Sequence, residues 1–191
     1  MTRSGMGTRL MITMALLAPL VACAPVDRGL DDAGRRERII EHRRPSNFLT
    51  CSQVSEEARV DSLVRPGPAV TLIARPRGAP NGGTGLTRLR LPPNAVSADR
   101  RFVLREDPGD SVSVTIDSPT TIGLLPPLDS SATLSIDVSR CTQQELNHPR
   151  GWWVWRMRPE VPDSSQKLES TINPQQARVV IDSTSKFMIA N

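Results

Sequence analysis

From Phe48 onward, apolar and polar residues alternate with a period of two. Val70, Leu72 and Ala74 alternate with Thr71, Ile73 and Arg75, and Leu89 and Leu91 with Arg88 and Arg90. Phe102 and Leu104 follow, then Val112, Val114 and Ile116, then Leu134, Ile136 and Val138. Trp153, Trp155 and Met157 continue the pattern, then Leu168, Ser170 and Ile172, then Val179 and Ile181, then Phe187 and Ile189. Such alternation turns one face of each strand to a core and the other to water. The breaks carry turn chemistry: Arg65-Pro66-Gly67-Pro68, Asn81-Gly82-Gly83, Asp107-Pro108-Gly109-Asp110, Pro126-Pro127 and Asn173-Pro174. The pattern predicts an all-β domain over residues 48–191, an antiparallel β-sandwich of about eight to ten short strands. No helix of normal length is expected in it.

The N-terminus follows another pattern. Arg3 and Arg9 precede the apolar run Leu10 to Val21. A basic stretch, a short apolar run and small residues make a secretory signal peptide over residues 1–22. The run is too short for a permanent membrane span. It closes on Leu20-Val21-Ala22-Cys23, which resembles the bacterial lipobox. That resemblance implies that Cys23 is acylated and heads the mature chain. It implies a lipid-anchored protein of the bacterial cell envelope, and Ala24 after Cys23, in place of Asp, points to the outer membrane.

Residues 23–47 read as the acylated Cys and a flexible charged tether. Asp31 to Arg38 is nearly all polar, and such a segment buries too little surface to offset its chain entropy. A short helix over Asp32 to Arg43 is the alternative, with acid at its start and base at its end. Arg28, Arg35, Arg36, Arg38, Arg43 and Arg44 would attract anionic headgroups. Asp27, Asp31, Asp32, Glu37 and Glu41 nearly cancel them, so the segment reads as a solvated spacer.

The chain carries 24 Lys and Arg against 20 Asp and Glu. Loss of the signal lowers the net charge from +4 to about +2. The arginines are scattered and often stand beside acids, without interleaved aromatics. This pattern argues against a nucleic-acid partner. With Cys23 taken by lipid, Cys51 and Cys141 remain as an even pair in an oxidising compartment. They read as a disulfide, with two buried free thiols as the alternative. The bridge would close a long loop, worth about 4–5 kcal/mol at most in the chain-entropy picture.

Three segments resemble the ZU-five domain, a β-sandwich found in ankyrins, netrin receptors, tight-junction scaffold proteins and bacterial secreted proteins. They are Leu89-Arg90-Leu91-Pro92-Pro93-Asn94-Ala95-Val96-Ser97, the strand Ala132 to Cys141, and the tryptophan-rich end from Trp152 to Asn191. Asn94 replaces the family's turn glycine, which Asn tolerates because it visits the left-handed region. The resemblance implies the sandwich fold. Some relatives cut themselves at an Asp-His-Phe-Ser site, which here reads Asp182-Ser183-Thr184-Ser185. Without the His, Ser185 lacks a base, so the resemblance carries the fold and not the cleavage.

Little else suggests chemistry. His42 and His148 stand in no metal-ligand spacing. Neither a nucleophile elbow nor a phosphate loop occurs, so an envelope hydrolase is the weakest reading. Asp107 and Asp110 read as parts of a turn, not as calcium ligands. No cofactor or metal is expected. Trp152-Trp153-Val154-Trp155 is the one unusual cluster. Period two puts Trp153 and Trp155 in the core. Trp152, with Arg156, is then the candidate surface for an envelope protein or glycan. The whole reads as a non-catalytic interaction domain on a lipid anchor.

Overall fold

The computed structural model describes residues 36–76, 86–118, 127–158 and 164–191. The signal peptide, Cys23, most of the expected tether and the turn at Asn81-Gly82-Gly83 lie outside the described residues.

Two antiparallel sheets enclose one core, and neither closes into a barrel. The larger runs in the order β1 (Ile39–His42), β12 (Gln166–Leu168), β11 (Trp153–Met157), β15 (Lys186–Ala190), β9 (Ser113–Asp117), β7 (Arg100–Glu106), β3 (Ala58–Val64) and β5 (Arg75–Pro76). The smaller runs β13 (Ser170–Ile172), β14 (Gln176–Ser183), β10 (Pro127–Asp137), β6 (Arg88–Leu91) and β4 (Val70–Ile73). A two-stranded ribbon, β2 (Thr50–Val54) and β8 (Gly109–Ser111), lies beside them. The segments outnumber the eight to ten expected because strands break where they leave one sheet. Ala74 separates β4 from β5, and Glu169 separates β12 from β13, each pair split between the two sheets. Among the described residues the sole helix is α1 (Gln143–Leu146), closed by a capping box of Thr142 and Glu145.

Register fixes the inner faces. In the larger sheet Val154 pairs with Leu168 and Ile189, Phe187 with Val114, and Leu104 with Ile116. In the smaller one Leu134 pairs with Leu89 and Val179, and Leu72 with Leu89. All of these are buried, which is what draws the two layers together. The turns follow their chemistry. Asn94 adopts φ 55°, the left-handed conformation expected of it, and Gly109 takes φ 122°, where a side chain would be strained. Asn173 Oδ1 accepts from the amides of Gln175 and Gln176, at 2.9 and 2.8 Å.

Two expectations change. First, the chain joins the sandwich well before Phe48. Residues 39–42 form neither spacer nor helix but the edge strand β1, paired with β12. The amide of Glu169 donates to the carbonyl of Arg38 at 2.8 Å, and that of Arg43 to Ser165 at 3.0 Å. Local composition reports only the segment's own poverty in apolar residues. The stabilising partner is an open strand edge far along the chain. Second, β11 is inverted. Its inner face carries Val154 and Arg156, and Trp153 and Trp155 face outward. Trp155 is fully buried all the same. The guanidinium of Arg43 lies 5.3 Å from its ring centre, and its indole N–H donates to the carbonyl of Ala190 at 3.1 Å. Residues 43–49 strap this face, with Asn191 donating to Asn47 and accepting from Ser46.

Candidate functional site

At the β1 edge, where the chain enters the sandwich, an open trough of about 640 Å³ crosses from one sheet to the other. Its walls are Arg36, Arg38, Ile39 and Ile40 from the entering chain, Trp153 from β11, Glu169, Ser170 and Thr171 from the crossover, and Arg178, Val179 and Val180 from β14. Arg36 and Arg38 thus stand beside one wall carboxylate, Glu169. Arg38 lies 3.8 Å from Glu169, a loose and exposed pair, and Arg36 has no acidic partner among the described residues. Ile39 and Ile40 are 40% and 47% exposed. Trp153 is half-buried, with the ammonium of Lys167 4.4 Å from its ring centre.

Behind the trough lies a buried charge network. Arg156 donates to Glu37, to Asp182 Oδ1 at 3.0 Å and to Gln166 Oε1 at 3.0 Å. Glu37 also accepts from the amide of Asp182 at 2.9 Å. Its side chain is only 1% exposed. Burial, opposed by the charge of Arg156, lifts its carboxyl from 4.5 to about 7, helped by a hydrogen bond with Asp182. Asp182 moves the other way. Burial pushes it up, but its hydrogen bond with Glu37 and the Arg156 guanidinium outweigh burial and hold it below the usual carboxylate range. A second buried acid, Glu106, accepts from Thr87 Oγ1 at 3.0 Å near Arg140, and burial raises its pKa.

The residues singled out from sequence are not brought together as a surface. Trp152, just before β11, packs against the core, and Arg156 within β11 is turned inward. Arg156 is 4% exposed and spent on the network. Trp152 is half-buried against the core, its indole N–H donating to the carbonyl of Glu145 at 2.9 Å and its ring 4.9 Å from that of His148. Cys51 and Cys141 are joined in a disulfide. Beside it, Arg140 donates to the carbonyls of Ser52, Gly109 and Ser111 at 2.6, 3.1 and 3.2 Å. Covalent bond and guanidinium together hold the β2–β8 ribbon to the end of β10.

Asp107 is engaged by Lys186 Nζ and Ser113 Oγ, both at 2.9 Å. Ser185 is buried and donates to the carbonyl of Met157 at 3.2 Å, and its own carbonyl accepts from Ile116 at 2.8 Å. The ring nitrogens of His148 face Asn191 Nδ2 at 3.1 and 3.0 Å, and His42 is exposed on β1. Glu37 and Trp153 escaped the sequence reading. Glu37 stands in an Arg-Arg-Glu-Arg run that looks solvated, and the period of two places Trp153 in the core. Compared with known proteins, the chain matches no family model, no curated protein and no solved structure.

Proposed function

We propose that this chain is a lipid-anchored protein of the bacterial cell envelope, held by acyl groups on Cys23, whose β-sandwich is a non-catalytic interaction domain. The observation that carries the reading is the Cys51–Cys141 disulfide in a chain whose N-terminal apolar run closes on Leu20-Val21-Ala22-Cys23. Disulfides persist in oxidising compartments, and a signal peptide delivers a chain there. A β-sandwich is what the ZU-five resemblance implies, and fold alone assigns no activity. The interaction face is the basic trough, the concave feature in which charge, hydroxyls and an indole converge.

A second reading, a glycan-binding lipoprotein, is favoured by one observation: the tryptophan lining the trough is Trp153. It therefore belongs to Trp153 and not to the Trp152 surface. Cell fractionation tests the anchor. The wild-type chain is expected in the membrane pellet and Cys23→Ser in the soluble fraction. A Cys23→Ser protein that stays in the pellet like the wild type overturns the acylation.

A further inference from the structure

The tether's arginines and acids nearly cancel along the sequence, but among the described residues 36–44 folding separates them. Glu37 turns inward, 1% exposed, and is spent on Arg156. Glu41 is held by Arg43 at 2.6 Å and by Lys167 at 3.6 Å. Arg36 and Arg38 are left facing outward beside Arg178, with Glu169 as the one carboxylate in the trough walls. Next to these charges stand the exposed Ile39 and Ile40 and the half-buried Trp153. Guanidiniums grip phosphate by paired hydrogen bonds. Tryptophan and aliphatic side chains settle at the boundary between headgroup and acyl chain. The combination is that of a surface that meets an anionic bilayer.

The position of the trough supplies the second argument. Arg36 stands thirteen residues after Cys23. Fully extended, that connection reaches at most about 45 Å. Of all the described residues, those at this edge are nearest along the chain to the anchor. Only a single acyl chain binds reversibly; several chains on Cys23 anchor the protein by themselves, and a basic patch at this edge adds attraction of the domain itself to an anionic surface.

We propose that the trough formed by Arg36, Arg38 and Trp153 docks the domain onto the membrane that holds its anchor, by taking the phosphate of an anionic lipid headgroup. This inference rests on the anchored reading of Cys23. It adds that the sandwich lies on the bilayer and does not swing free on its tether.

The test uses the full chain, reconstituted into vesicles that carry a dansyl-labelled headgroup. The three tryptophans of the chain fall within four positions, Trp152 to Trp155, and Trp153 lines the trough, so energy transfer from tryptophan to dansyl reports the distance of this edge from the surface. Transfer is expected to rise about twofold between phosphatidylcholine and a roughly two-to-one mixture with phosphatidylglycerol. The rise is expected to vanish in Arg36→Gln/Arg38→Gln. It should survive in the charge-matched Arg59→Gln/Arg101→Gln, on the far strands β3 and β7. Equal transfer from the two vesicles, or equal loss in the two double variants, overturns the docking. Inorganic phosphate should suppress the rise more than chloride of equal ionic strength. Phosphate or polygalacturonate bound at the trough without any vesicle response would assign a soluble anion or an acidic glycan and overturn the lipid. Sedimentation separates the two readings. Protein that leaves neutral vesicles refutes the anchor, and the response to phosphatidylglycerol still reads the trough.

Discussion

Arg156 donates to Glu37 across 119 positions of the chain, between side chains that are 5% and 1% exposed. The bond fastens the entering N-terminal segment to β11, the third strand from the edge of the larger sheet. It also brings an ionisable acid into an interior that would otherwise disfavour it.

Breaking this pair is expected to cost more than removing it. Arg156→Met leaves Glu37 buried without its guanidinium, a loss of about 3–5 kcal/mol by analogy with other buried pairs. In Arg156→Met/Glu37→Met both charges go, and most of that loss should be recovered. Urea unfolding of the four members of the cycle measures it. A double variant as unstable as Arg156→Met would mean that the pair's geometry, not its uncompensated charge, dominates.

The raised Glu37 carboxyl makes stability depend on pH, with a definite sign. Between about pH 4.5 and 7 the folded protein keeps a proton that the unfolded chain has lost. Glu37's contribution is therefore present in full below about pH 4.5 and lost as pH rises through about 7. Glu106, also raised by burial, acts in the same direction. Asp182, held low, contributes above its unfolded value and is lost only as pH falls through its lower folded one. The Tm at about pH 5 should exceed that at about pH 8, and Glu37→Gln should flatten the difference. An unchanged slope in Glu37→Gln would assign the effect elsewhere.

The inverted strand separates two neighbouring tryptophans energetically. Trp155→Ala empties a fully buried site and cuts the bond to Ala190, so a loss of about 3–5 kcal/mol is expected. Trp153→Ala, in the trough wall, should cost about 1 kcal/mol. Thermal melts compare them. Equal losses would return Trp153 to the core.

The Cys51–Cys141 bond closes a separation of 90 residues. Its removal by Cys141→Ala is expected to lower stability by about 2–5 kcal/mol. Thiol labelling of the oxidised, denatured chain should leave both of these cysteines unmodified. Labelling of Cys51 and Cys141 in that state would show that the bridge does not form.

Periodicity by itself determined the fold class and most inner faces. Leu89, Leu104, Leu134, Val179 and Phe187 are buried where alternation put them, because a strand's side chains must alternate whatever it pairs with. The turn at Asn94 and the one at Asn173-Pro174 were also legible, since turn conformation is set within a few residues. Cysteine parity pointed to the bridge. Alternation says which residues share a face, however, and not which face is the inner one. On β11 both faces carry apolar groups, and the strap of residues 43–49 decided the matter by covering Trp155. The same strap and β1 turned a polar run into structure. Glu37 and Arg156 meet only because strands β1, β11 and β14 converge. Burial and charge separation come from neighbours distant in sequence, so the basic trough existed nowhere in the linear pattern and arose only from the packing of the two sheets.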